Sequence, residues 1–247
     1  MLASPSGTRI GVVIAAGGTG SRFGRAEGKQ FALLMGRPMV AWAVEPFASL
    51  AGVVEIVVVC HPRHCDAYAR QLGATPPPGV AIQVLGGGDS RQASVARGLE
   101  ALTPECDLVI VHDGARPLLQ RALAQKAVDT LLADEDAAGA IVGHPSVDTL
   151  KRVGVRDGGW RVLDTPDRTQ FWAVQTPQVF RAPALRAAHR SAAEDGFEGT
   201  DDSSLVERSG GVVLMVEGPR DNLKVTHAED LAIAEAVLRV RAEEAEA

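Results

Sequence analysis

Short runs of β-branched and other apolar residues recur at 10–15, 53–59, 80–85, 108–112, 140–142 and 212–216, and helical patterns fill 38–50, 64–72, 90–102, 118–132, 182–194 and 227–244. Strands that alternate with helices predict an α/β fold, Rossmann-like, with a mostly parallel sheet and helices on both faces. The stretch 145–175 breaks this rhythm. There 149–153 and 160–163 alternate like strands around the turn formers Asp157, Gly158 and Gly159, which predicts a β-hairpin arm projecting from the sheet over about 147–171. The last helix opens on Thr226-His227-Ala228-Glu229, the pattern of a capping box.

No internal repeat is visible, and the only biased segment is the Ala/Glu-rich tail, so residues 1–247 are expected to form a single domain. With 46% hydrophobic and 23% charged residues the chain has the balance of a soluble globular protein. A net charge of -6 argues against a broad nucleic-acid surface and confines any anion site to a local pocket. No apolar run approaches the ~20 residues of a membrane span, and the start lacks the apolar core of a signal peptide, so the expected location is the cytoplasm with no membrane partner. Three sparse cysteines, Cys60, Cys65 and Cys106, suit reduced thiols, and Cys60-His61-Pro62-Arg63-His64-Cys65 matches no standard zinc spacing.

The first strand runs into Ala15-Ala16-Gly17-Gly18-Thr19-Gly20-Ser21-Arg22-Phe23-Gly24, with Lys29 beyond it. Glycines let backbone N–H groups approach a polyphosphate, and the two basic residues supply charge. A dinucleotide loop, G-x-G-x-x-G, would put glycine at the position of Phe23. A Walker loop would need glycine there too and a hydroxyl residue in place of Gln30. Both patterns fail on named residues, so the loop binds anions in some other way.

Ala16 to Arg22 followed by Lys29-Gln30 resembles the signature loop of nucleoside-triphosphate transferases that activate sugars and sugar alcohols. Five further blocks narrow the resemblance: Gly86 to Val95, His112-Asp113-Gly114-Ala115-Arg116-Pro117, Asp148 to Lys151, Gln175-Thr176-Pro177-Gln178, and Asp221 to Thr226. In order and across nearly the whole chain they resemble the 2-C-methyl-D-erythritol 4-phosphate cytidylyltransferases of the non-mevalonate isoprenoid pathway. The departures are small: Gly28 stands where the family often has proline, and Gly17 and Gly114 where it often has alanine. The chain ends soon after its last helical pattern, so the cyclase domain that some bacteria fuse to this enzyme is not expected.

The resemblance implies transfer of CMP from CTP to 2-C-methyl-D-erythritol 4-phosphate, with release of pyrophosphate and Mg²⁺ as cofactor. It implies that Arg22 and Lys29 clasp the CTP phosphates beside Ala16, Gly17, Gly18 and Gly20, and that Gly88, Asp89, Arg91 and Ser94 recognise cytosine and ribose. Asp113 is the carboxylate for Mg²⁺ or the nucleotide, and Thr149, Arg168 and Lys224 serve the acceptor, the first two on an arm reaching into the partner of a homodimer. Because the attacking phosphate is already ionised at neutral pH, no protein nucleophile is needed, and His112 reads as a hydrogen-bonded structural residue. Ser90 reads as a helix cap. The competing readings are a ribitol-5-phosphate cytidylyltransferase, an NAD(P)-dependent oxidoreductase and a catalytically silent nucleotide-binding protein.

Overall fold

Neighbouring residues of the central strands turn to opposite sides of one sheet, and both sides are apolar. Val12, Ile56, Ile110 and Val179 enter one core, while Val13, Val57, Val111 and Phe180 enter the other. A strand buried on both faces needs a helical layer above and below it. In the computed structural model, which describes residues 7–18, 32–73 and 80–246, those layers are present.

The strands are β1 (Ile10–Ala16), β2 (Leu33–Leu34), β3 (Arg37–Pro38), β4 (Val53–Cys60), β5 (Ala81–Gly86), β6 (Leu108–Asp113), β7 (Ala137–Pro145), β8 (Arg152–Arg156), β9 (Gly159–Asp164), β10 (Trp172–Arg181) and β11 (Val212–Glu217). The helices are α1 (Met39–Ala48), α2 (Cys65–Gly73), α3 (Arg91–Ala101), α4 (Arg121–Leu132), α5 (Ala182–Glu194), α6 (Asp202–Arg208) and α7 (Ala228–Glu246). The main sheet runs β11-β7-β10-β6-β1-β4-β5. Every pairing in it is parallel except those of β10, which lies antiparallel between β6 and β7. Helices α1 and α4 pack on the face of Val12 and Ile110, and α3, α5 and α6 on the face of Val13 and Val111.

Strand order reverses at β1, which has β4 and then β5 on one side and β6 on the other. In open parallel sheets ligands gather at the carboxyl ends of the strands beside such a reversal. The register brings those ends level: Ala15 pairs with Asp113, Ala16 with Cys60, and Cys60 with Gly86. Three loops distant in sequence therefore open on one edge.

The predicted arm is a hairpin of β8 and β9. Its two-residue turn, Asp157 and Gly158, has φ of 52° and 77°. This is the left-handed pair that joins twisted strands in a tight hairpin, where glycine fits without a steric cost. Its first strand begins at Arg152, later than the alternation from 149 suggests. The N-terminus of α7 also differs from expectation. Asp230, not Glu229, is the acid that turns back, its Oδ2 accepting from the backbone N–H of Thr226 (2.7 Å) and of His227 (2.8 Å). The Thr226 hydroxyl donates to the same oxygen rather than capping the helix itself.

Candidate functional site

Asp113 ends β6 at the shared edge and is 6% exposed. Its backbone N–H donates to the Thr176 hydroxyl (3.0 Å), which lies within 2.9 Å of His112 Nδ1. His112 Nε2 sits 3.1 Å from the Arg116 carbonyl, which only an N–H can satisfy, so the ring carries its proton on Nε2 and Nδ1 accepts from Thr176. Burial drives the His112 pKa down to about 4, so the ring is neutral near pH 7. Both ring nitrogens are used in holding the Asp113 turn, the structural role anticipated for this residue.

Three cations converge on the Asp113 carboxylate. Arg91 Nε reaches Oδ1 at 3.2 Å, and Lys224 Nζ and Arg116 Nε approach Oδ2 at 2.8 and 3.7 Å. Burial pushes the carboxyl pKa up, but Arg91, Lys224 and Arg116 outweigh it and hold the group well below the usual carboxylate range. Arg116 is itself buried, with Nη1 on the Asn222 carbonyl at 2.8 Å. Arg91 is shared with a second buried carboxylate, Asp202, through a 2.7 Å contact from Nη1. Asp113, Arg91, Arg116 and Lys224 border a cavity of about 450 Å³ that is also lined by Gln175, Thr176, Gln178 and Ser203.

The start of α3 builds the adjoining wall. Ser90 caps the helix, its hydroxyl accepting from Ala93 N–H at 3.1 Å. Ser94 is buried, accepts from Gly88 N–H at 3.2 Å and donates to the Ser90 carbonyl at 2.9 Å, so it sets the shape of the 86–90 loop. A Cβ on Gly88 would come within 2.6 Å of the Ala93 Cβ, so the loop can lie this close to α3 only with glycine there. Asp89 is exposed.

The residues predicted from sequence separate into three sets. Arg91, Asp113 and Lys224 come together in one cluster, and Ala16, Gly17, Gly18, Gly88 and Ser94 lie on the neighbouring strand ends and loops. Thr149 and Arg168 are exposed on the arm segment and do not line the cavity, and Arg168 Nη1 donates to the Val147 carbonyl at 2.6 Å. Gly20, Arg22 and Lys29 lie outside the described residues. Sequence reasoning gave no role to Arg116, Thr176, Asn222, Asp202 or His189. The first three stand inside motif blocks and carried a signal. The last two stand in none.

A doubly wound sheet that gathers glycine-bearing loops, three cations and a buried carboxylate at the strand-order reversal defines an α/β protein built to hold phosphorylated ligands. The comparisons make the class particular. The family model described as IspD, 2-C-methyl-D-erythritol 4-phosphate cytidylyltransferase, matches residues 10–240. The 2-C-methyl-D-erythritol 4-phosphate cytidylyltransferase of Caldanaerobacter subterraneus subsp. tengcongensis is 37% identical over 93% of this chain and 99% of its own. That of Bacillus velezensis is 41% identical over 92% of this chain and 95% of its own. Among solved structures, 4-diphosphocytidyl-2C-methyl-D-erythritol synthase from Anaerococcus prevotii superposes with a TM-score of 0.80 at 28% identity, covering 94% of this chain and 96% of that one. The Thermus thermophilus cytidylyltransferase does so with a TM-score of 0.70 at 37% identity, covering 92% and 98%. The chain belongs to the 2-C-methyl-D-erythritol 4-phosphate cytidylyltransferase family. These matches favour neither a ribitol-phosphate enzyme nor an NAD(P)-dependent oxidoreductase.

Proposed function

We propose that this chain transfers CMP from CTP to 2-C-methyl-D-erythritol 4-phosphate and releases pyrophosphate. The observation that carries the reading is the Asp113 cluster at the carboxyl edge, in a chain matched by the family model over residues 10–240. An oxygen of the acceptor phosphate attacks the α-phosphorus of CTP, and the bond to the β-phosphate oxygen breaks. Both reactants are anionic, so the work is positioning and cationic stabilisation rather than proton transfer. Arg22 and Lys29 take the CTP phosphates, with Ala16, Gly17, Gly18 and Gly20 giving their backbone to the same loop. Gly88, Asp89, Arg91 and Ser94 face the nucleoside. Lys224 meets the acceptor phosphate, joined by Arg116 beside it.

Mg²⁺ fits this donor set in one way. Asp113 supplies a single carboxylate, both of whose oxygens already face cations, and among the described residues no group of three candidate ligands occurs. Mg²⁺ commonly binds through one or two carboxylates together with substrate phosphates and water, so the ion would be held chiefly by the nucleotide with Asp113 alongside. When bound it neutralises phosphate charge.

A homodimer completes the proposal. Val155 pairs with Trp160 and Val153 with Val162 across the arm, and these four apolar side chains are 45 to 75% exposed. A second copy of the chain is the surface proposed to cover them, with Thr149 and Arg168 delivered to its site. Purified protein with Mg²⁺, each of the four nucleoside triphosphates, and methylerythritol phosphate or ribitol 5-phosphate, scored for pyrophosphate release, tests the reaction. Preference for CTP and methylerythritol phosphate is expected, and faster turnover with ribitol 5-phosphate sinks the reading. For the shared site, reassembled heterodimers of Arg168→Ala with Lys29→Ala should regain activity, because one of their two sites carries neither lesion.

A further inference from the structure

Asp202 sits at the start of α6, outside every motif that pointed to the site, yet it is 1% exposed and bonded to a residue of the Asp113 cluster. Its two oxygens divide their work. Oδ2 takes Arg91 Nη1 at 2.7 Å, and Oδ1 takes His189 Nε2 at 3.0 Å. Arg91 is thereby held at two points, Nη1 on Asp202 and Nε on Asp113. A guanidinium fixed at two of its nitrogens cannot turn about its long axis. Its Nη2 makes no hydrogen bond among the described residues, and the side chain lines the cavity.

The mount under Asp202 is itself tied down. Asp201 caps α6 by accepting from Ser204 N–H at 3.0 Å and accepts from Gln178 Nε2 of β10 at 2.7 Å. Gln92, next to Arg91, donates to the Phe197 carbonyl at 3.0 Å and accepts from Gly199 N–H at 2.9 Å, linking α3 to the loop before α6. His189 lies on α5 and is 6% exposed, and among the described residues its Nδ1 has no partner, so the one side-chain polar contact found there is the bond to Asp202.

We infer that Asp202, tethered by His189, is a positioning residue for Arg91: it fixes the guanidinium so that one edge orients the Asp113 carboxylate while Nη2 is presented to the nucleotide in the cavity. As far as it concerns catalysis, the inference rests on the proposed function. As far as it concerns the order of Arg91, it does not.

The test is Asp202→Asn, which keeps the shape but removes the charge: the one amide oxygen leaves Arg91 with a bond that has lost its charge assistance, and the amide N–H meets His189 Nε2 only if the ring moves its proton to the buried Nδ1, unpartnered among the described residues. In the ligand-free protein the Arg91 Nε–H resonance, assigned by its loss in Arg91→Lys, should be ordered in wild type and broadened or shifted to the solvent-exposed position in Asp202→Asn. In turnover with CTP and methylerythritol phosphate, kcat/KM per folded site should fall about tenfold or more, as for loss of a charge-assisted bond acting at the site. In an Arg91→Lys background the same change should add less than about twofold, because its route is already cut. An unchanged Arg91 resonance, or effects that multiply in the double variant, overturns the inference. If Asp202→Asn does not fold, His189→Leu removes the tether and leaves the carboxylate, and an Arg91 resonance unaltered there overturns it as well. Wild-type protein inactive with both substrates would count against the proposed function, and the resonance measurement would still decide the positioning role.

Discussion

Replacing Thr176 by valine should unfold the protein more readily, because one buried hydroxyl serves two buried groups at once. Its oxygen accepts from Asp113 N–H at 3.0 Å and donates to His112 Nδ1, 2.9 Å away. Valine has nearly the same shape, so packing is kept and the change isolates the hydrogen bonds. Each buried group left unsatisfied costs about 1–3 kcal/mol, offset by about 1 kcal/mol for the added apolar surface. With two such groups the net expectation is a loss of about 1–5 kcal/mol, or roughly 2–20 °C in Tm for a chain of this size. Urea unfolding should show a lower midpoint at an unaltered slope. Thr176→Ser keeps the hydroxyl and should lie within about 1 kcal/mol of wild type. Because the same hydroxyl fixes the backbone of Asp113, the valine variant should also lose kcat/KM at temperatures where it remains folded. A valine variant within about 0.5 kcal/mol of wild type would refute the reasoning, since it would mean that neither group depends on Thr176.

Gly98→Ala should destabilise despite the better helix propensity of alanine, because its Cβ would lie 2.6 Å from Val13 Cγ1 and 3.0 Å from Val59 Cγ2, where α3 crosses β1 and β4. Overpacking of about 1–3 kcal/mol exceeds the roughly 1 kcal/mol gained from propensity, and thermal unfolding gives the sign. Ser90→Ala removes the cap of α3 and should cost about 1 kcal/mol in denaturant unfolding, with weaker CTP binding by calorimetry because the 86–90 loop loses its anchor. His112 has a folded pKa near 4 against 6.5 in the unfolded chain, so between those values the unfolded state binds the extra proton and stability falls as pH drops. The loss should approach roughly 3 kcal/mol by pH 4 and be absent from the pH profile of His112→Gln, so equal slopes for the two proteins contradict it. Asp113 acts in a lower window, because its depressed pKa gives stability above the unfolded value near 3.8 that is lost on further acidification.

The sheet was largely legible in the chain because β1, β4 and β6 are β-branched runs that no helix would match, and the hairpin was legible because Asp157-Gly158 is a turn signal in itself. Strand β10 was not. Its middle reads Gln175-Thr176-Pro177-Gln178, polar residues and a proline that argue against a central strand. Those residues are buried because they bond to Asp113, Asp201 and Asn222 rather than to solvent, and pairing with β7 is irregular between Val174 and Gln178. Helix α6 escaped notice because seven residues, DSSLVER, are too few to display a period. The partners of Asp113 were half visible. Lys224 and Arg91 stood in recognisable blocks, whereas the link from Arg91 to Asp202 joins positions 111 residues apart and has no local signature.

A buried ion network is weak evidence for stability, since desolvation consumes most of what the charges gain from one another. The Asp113 cluster is therefore better explained by what it does at the cavity. Three cations against two carboxylates, Asp113 and Asp202, leave one positive charge in excess. Asp202 is spent on Arg91 and His189, and Asp113 restrains Arg91, Arg116 and Lys224 at distances of 2.8 to 3.7 Å. Without those carboxylates the three cations would repel one another and turn to water; with them, they are kept close together beside a space of about 450 Å³. On the proposed function, an incoming phosphate would meet donors already oriented and need little rearrangement of the protein, which is the condition under which electrostatic stabilisation of a phosphoryl centre is most effective. The antiparallel insertion of β10 contributes to this, because it pairs Gln178 with Val111 and brings the Thr176 hydroxyl level with the Asp113 N–H at the end of β6.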